Sequence, residues 1–73
     1  MRGSDARSRV FAFLSKQGKK GCTDEECALA LNMNRATQRA RRVELQRRGL
    51  VRDTGNTRVL RSGRYGAVWM VVK

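Results

Sequence analysis

Apolar side chains recur early in the chain at Ala6, Val10, Phe13 and Leu14, the spacing of one face of an α-helix. The pattern predicts a first helix over about residues 5–17. Ser4 stands before it, where a side-chain oxygen can accept a free first-turn amide, and Gly18 follows it, suited to a left-handed stop. Phe11 falls off the stripe, is expected to be partly exposed, and would then mark a partner surface. Gly18-Lys19-Lys20-Gly21 reads as a basic loop. A second inward stripe, Cys27, Ala28 and Leu31, follows Thr23-Asp24-Glu25-Glu26. That run is a capping box, with Thr23 at the cap, Glu26 three residues on, and acids against the positive end of the helix. Asn32-Met33-Asn34 then reads as a tight turn. Asn32 tolerates the left-handed conformation, Met33 turns to the core, and Asn34 caps a third helix over about residues 35–48 that Gly49 ends.

Beyond Gly49 the period changes. Residues 50–53 read as a strand, 54–57 as a turn, 58–60 as a second strand, 61–66 as a glycine-containing loop, and 67–72 as a buried strand. Trp69 is expected in the core, packing that last strand on the first helix; Tyr65 is ambiguous. Helix 3 has an unusual pattern. At 100° per residue, Gln38, Arg41 and Arg42 share the face of Leu45, while Ala36, Ala40 and Val43 lie opposite. Three arrangements remain open: the helix is rolled, its arginine stems run along the core edge, or the Ala/Val face meets a protein.

Charge narrows the function classes. The chain has 73 residues, enough for one small domain, and a formal net charge of +11 from 17 Lys and Arg against 6 Asp and Glu. Residues 1–37 carry seven basic and four acidic residues; residues 38–73 carry ten and two. Thirteen of the basic residues are Arg, whose forked guanidinium suits phosphate and guanine edges. A polyanion would relieve the self-repulsion, with nucleic acid the first candidate and an anionic membrane surface or an acidic protein next. No apolar run approaches the roughly 18 residues of a membrane span, no signal-peptide core opens the chain, and a cytoplasmic location is expected. Two cysteines, Cys22 and Cys27, with no histidine cannot close a tetrahedral zinc site, so no metal and no cofactor are expected; a buried Cys27 thiol is favoured over a disulfide. With no histidine, no glycine-rich phosphate loop before a helix and no acid pair in an apolar setting, no enzymatic activity is expected.

Helix 2, the three-residue turn and helix 3 have helix-turn-helix spacing. The stretch TDEECALALNMNRATQRARRVELQRRGLV, followed by DTGNTRVLRSGRYGAVW, resembles the small winged helix-turn-helix proteins of bacteria and their phages. RRVELQRRGLV and RSGRYGAVW carry most of the likeness, which covers about residues 22–69. It implies an α+β fold of three helices with a C-terminal two- to three-stranded antiparallel β-wing, forming one domain over 1–73. The helix-turn-helix would occupy about 23–48 and the wing about 50–72. It also implies that helix 3 enters the major groove of double-stranded DNA and the wing meets backbone or minor groove. The chain departs from the family in having Asn32 where glycine is usual at the turn, and Gln38 where a branched apolar residue is usual.

The candidate DNA-binding residues divide accordingly. Arg35 and Arg39, one turn apart at the start of helix 3, are the first choices for base reading or phosphate bracing. Gln38 is either an adenine reader or a half-buried structural amide, and Asn34 a base reader or, by preference, a cap. Arg42 either reaches phosphate or pairs with Glu25 or Glu26. Arg58, Arg61 and Arg64 form the arginine-tipped wing, suited to a narrow minor groove or to phosphate. Lys19 and Lys20 reach backbone at the edge of the footprint. The expected protein is a transcriptional regulator, a monomer in solution, with pairing on DNA left open. Its rivals are a recombination or architectural DNA factor, an RNA-binding winged helix, and a viral effector that meets an acidic host protein through Ala36, Ala40 and Val43.

Overall fold

A computed structural model describes residues 2–72, with side chains from Ala6 onward. Three helices, α1 (Arg2–Gln17), α2 (Asp24–Leu31) and α3 (Arg35–Arg47), precede an antiparallel hairpin of β1 (Val51–Val59) and β2 (Tyr65–Val71). The fold is therefore α+β. Helix α1 buries Val10 and Leu14, with Phe11 and Phe13 half-buried against the same core. Its backbone is helical from Arg2, so Ser4 falls inside the first turn rather than before it, and the Ser4 side chain is outside the described residues. A single 3-10 turn, Gly18–Lys20, replaces the expected loop.

The start of α2 is as the sequence predicts. Thr23 accepts from the Glu26 amide at 3.1 Å and the Glu26 carboxylate accepts from the Thr23 amide at 3.0 Å, a reciprocal cap worth about 1 kcal/mol. Asn32 takes the left-handed conformation with φ 51°, and the Asn34 side chain accepts from the amides of Ala36 and Thr37. A hydrophobic core of Val10, Leu14, Cys22, Cys27, Leu45, Val51 and Trp69 lies between the helices and one face of the hairpin. Cys22 forms an isolated antiparallel bridge with Trp69, so at that point the two-stranded sheet has a third, one-residue edge.

The expected turn at residues 54–57 is not one. Asp53 pairs with Trp69 and Thr57 with Ala67, so three residues of β1 oppose the single residue Val68, an enlarged bulge inside one strand. The residues that suggest a turn do make turn-like bonds. The Asp53 carboxylate accepts from the Gly55 amide and the Thr54 hydroxyl from the Asn56 amide, while that hydroxyl also donates to the Val68 carbonyl. These bonds satisfy the bulge from within, and the strand resumes. The chain reverses instead at Leu60–Arg64, where Gly63 has φ 90° and its amide donates to the Leu60 carbonyl.

Candidate nucleic-acid interface

Helix α3 presents Gln38, Arg42 and Leu45 to the interior, with Arg41 half-buried, so the Leu45 register holds although three of its four members are polar. Both Nε and Nη2 of Arg42 donate to the Asp24 carboxylate, at 3.0 and 2.6 Å, and Nη1 donates to Gln46. The guanidinium lies 3.8 Å from the centroid of the Trp69 ring. A planar cation that is held on its edge by a carboxylate and stacked on an indole face is the strong form of both interactions. Gln38, 1% exposed, donates its amide to the same Asp24 at 3.2 Å, and its Oε1 is buried without a partner among the described residues. Gln38 and Arg42 are therefore built into the floor of the domain, facing Asp24 and Trp69, and are not in position to meet bases or phosphates. The partner of Arg42 is Asp24, not Glu25 or Glu26.

Glu25 has a different task. It is 7% exposed, and one oxygen accepts from Nη2 of Arg35 at 2.7 Å while the other accepts from the backbone amide of Arg61 at 3.0 Å. One buried carboxylate thus ties the first residue of α3 to the turn of the hairpin. The sequence assigns the three acids of α2 to capping, but capping uses only Glu26. Two further acids in a chain of net charge +11 were the available signal that Asp24 and Glu25 serve other elements.

The consequence is a single arginine-rimmed groove of about 430 Å³ between α3 and the hairpin, lined by Arg35, Arg39, Arg64, Tyr65 and Ala67 over the Asp24–Arg42–Trp69 floor. Arg39, Arg61 and Arg64 are exposed and have no carboxylate partner among the described residues. Arg35 is exposed but paired. Tyr65 is 73% exposed beside them. Ala36, Thr37 and Ala40 project from the outer face of α3, and Val43 is half-buried. Asn34 caps α3 through its Oδ1.

The other predicted residues lie elsewhere. Alternate residues of β2 face opposite ways. Ala67 and Trp69 face the groove, whereas Val68 and Met70 face a second one of about 390 Å³ that Lys19, Lys20 and Arg58 line. Arg58 is occupied, donating to Glu26 at 2.6 Å and to the Lys20 carbonyl at 2.8 Å. Lys19, Lys20 and Arg58 are therefore not part of the α3 surface. Burial opposes ionisation of Glu26, but the bonds from Arg58 and the Thr23 amide outweigh it, and the carboxyl is held below its ordinary value.

Cys22 and Cys27 are both free and buried. The hydrogen bond to Cys27 is the main cause that raises the Cys22 thiol, and burial adds to it, so Cys22 stays protonated. Among the described residues no cluster of His, Cys, Asp or Glu can hold a metal ion, and no helix is long and apolar enough to cross a membrane. No protein family, curated protein or solved structure matches the chain.

Proposed function

We propose that the chain is a non-catalytic, double-stranded-DNA-binding protein of the winged helix-turn-helix kind, used in the cytoplasm to regulate transcription in a bacterium or phage. The observation that carries this reading is the Glu25 tie, which puts the start of α3 and the arginines of the hairpin turn on one side of the domain. Helix α3 enters the major groove with Arg39 able to fork onto a guanine edge, and Ala36, Thr37 and Ala40 are small enough to let the helix approach the bases. Arg61 and Arg64 meet the adjoining backbone or minor groove. Electrostatic capture precedes this docking, because each phosphate contact releases counterions.

The reading is tested by selecting bound sequences from a random duplex pool beside an RNA pool. A common duplex motif is expected, with log affinity falling against log salt at a slope of about −4 to −5 for four to six phosphates. Arg39→Ala should lose affinity and sequence preference together, by about 1–3 kcal/mol. Arg61→Ala with Arg64→Ala should weaken all sequences alike and flatten the slope by about one unit per lost phosphate. Arg35→Ala is a poorer probe, since it would strand the buried Glu25. Selection of RNA alone, or affinity indifferent to salt, would overturn the reading.

The exposure of Ala36 and Ala40 favours a second reading, a protein contact through Ala36, Ala40 and Val43. Ala36→Glu with Ala40→Glu separates the two. Neither side chain is in the core, so the variant should fold. Loss of DNA binding supports the first reading, and unchanged DNA binding moves the protein contact ahead.

A further inference from the structure

The second groove lies on the side of the hairpin away from α3, and its lining is chemically distinct from the first. Asp24 and Glu25 line the α3 groove among its arginines, whereas the second is lined by Lys19, Lys20, Arg52 and Arg58 with short polar side chains of β1, and with no carboxylate among the described residues. Of its four cations only Arg58 has a carboxylate partner, Glu26 at the margin; Lys19, Lys20 and Arg52 have none within 4 Å among the described residues. Excess positive charge is thus left on both faces of one thin sheet.

The second face is held in shape. Gly21 has φ 62°, and a Cβ there would stand 2.6 Å from the Trp69 carbonyl oxygen and 2.7 Å from Cγ1 of Val68. Only glycine lets the Lys19–Lys20 turn lie directly on β2. The Cys22–Trp69 bridge fixes it on one side, and the bond from Arg58 to the Lys20 carbonyl on the other. Arg52 lies across Met70 on the same face. The bulge between Asp53 and Thr57 adds the Thr54, Asn56 and Thr57 side chains to the lining. Lysine and arginine charge interleaved with hydroxyl and amide groups is the donor set that proteins turn to phosphate oxygens. It lacks the exposed aromatic platforms that stack single-stranded bases.

We infer that this face binds the phosphodiester backbone of a second DNA duplex, so that one molecule bridges two duplex segments. The inference rests on the DNA-binding reading of the α3 face and adds a second site to it. A duplex docked on α3 and the hairpin turn lies on one side of the sheet, and the Lys19–Arg52 face points away from it. The second site reads no sequence, since it offers charge and short polar groups in a shallow groove and no element that could enter a major groove.

Bridging is measured by saturating a bead-bound duplex with the protein and following capture of a labelled duplex from solution, with the solution mass of the protein and of its DNA complex determined alongside. Wild-type protein should capture the labelled duplex as a monomer. The variant Lys19→Gln, Lys20→Gln, Arg52→Gln should bind the bead-bound duplex with affinity within about 3-fold of wild type, yet capture at least about 10-fold less labelled duplex. Wild-type protein that binds the first duplex but captures no second one would overturn the inference alone, and would leave the face to an acidic protein. Undiminished capture by the variant, or capture only by a dimer, would overturn it as well. Failure to bind even the bead-bound duplex would overturn both this inference and the DNA-binding reading.

Discussion

Helix α1 meets the core with Val10 and Leu14 and turns Ser8, Arg9, Ser15 and Lys16 to solvent, whereas α3 meets it with Gln38, Arg42 and Leu45 and turns Ala36, Thr37 and Ala40 outward. In α1 apolar area leaves water in the ordinary way, at about 25 cal/mol per Å². In α3 the inward positions Gln38 and Arg42 are polar, and the outward face mixes Ala36 and Ala40 with Arg35, Thr37 and Arg39. A buried ion pair gains little over apolar residues of the same shape, since desolvation offsets the attraction. Direction is what it adds. An aliphatic face tolerates some rotation of its helix, but two bonds to one carboxylate and a stack on Trp69 fix which way α3 faces. The inward polar face of α3 thus sets the aim of its outward face.

The largest expected effect falls where the two chemistries meet. Trp69 belongs to the core that α1 packs on and also carries the Arg42 guanidinium on its ring. Trp69→Ala should cost about 3–5 kcal/mol, comparable to the whole stability of so small a domain. Loss of the cooperative thermal transition by circular dichroism is the expected result. A folded Trp69→Ala protein would mean that the core of α1 suffices without the floor beneath α3.

Much of this was legible in the sequence, and the reasons differ by element. The α1 stripe, the Thr23 capping box, the Asn32 turn and the Asn34 cap depend on local spacing, and each stands where the sequence puts it. The break at 54–57 did not read correctly, because Asp, Thr, Gly and Asn make the same short-range bonds in a bulge as in a turn; only pairing with Val68 decides between them. The candidate site was half legible. Arg39, Arg61 and Arg64 are exposed on one side, but Gln38 and Arg42 face inward because their partners, Asp24 and Trp69, lie 14 to 27 positions away and no local pattern pairs them. The same distance in sequence hid the tie from Glu25 to Arg61, and only the β2 alternation assigns Lys19 and Lys20 to the opposite face.

A smaller effect sharpens the comparison by dissecting the ion pair. Asp24→Leu should cost about 3 kcal/mol, since it leaves the Arg42 charge against Trp69 with only the neutral Gln46 oxygen as acceptor. Combining Asp24→Leu with Arg42→Met should bring stability back to within about 1 kcal/mol of the parent. Urea titrations of the single and double variants measure this. If the pair fixes the rotation of α3, the double variant should be folded yet discriminate less between selected and random duplexes. Single losses that simply add in the double variant would show that Asp24 and Arg42 are not coupled, and α3 would then be held by Leu45 much as α1 is held by Leu14.

The smallest effect concerns Gln38, the inward residue whose bonding is incomplete. Its Oε1 is buried without a partner among the described residues, an arrangement that costs about 1–3 kcal/mol where it persists. Its amide bond to Asp24 is long, at 3.2 Å, and Asp24 keeps both bonds from Arg42 without it. Methionine has nearly the same length and adapts to irregular space. Gln38→Met should therefore remove an unpaired acceptor at the loss of a weak bond, raising stability by up to about 1 kcal/mol. The urea midpoint should rise with the slope unchanged. Because Gln38 faces inward, binding of the selected duplex should be unaltered. A loss of more than about 1 kcal/mol would mean that the bonds the amide N–H groups donate, to Asp24 and to the Cys27 sulfur, outweigh the cost of the unpaired Oε1. Gln38 would then be a net stabilising member of the inward face of α3, and its contrast with α1 would be one of chemistry and not of stability.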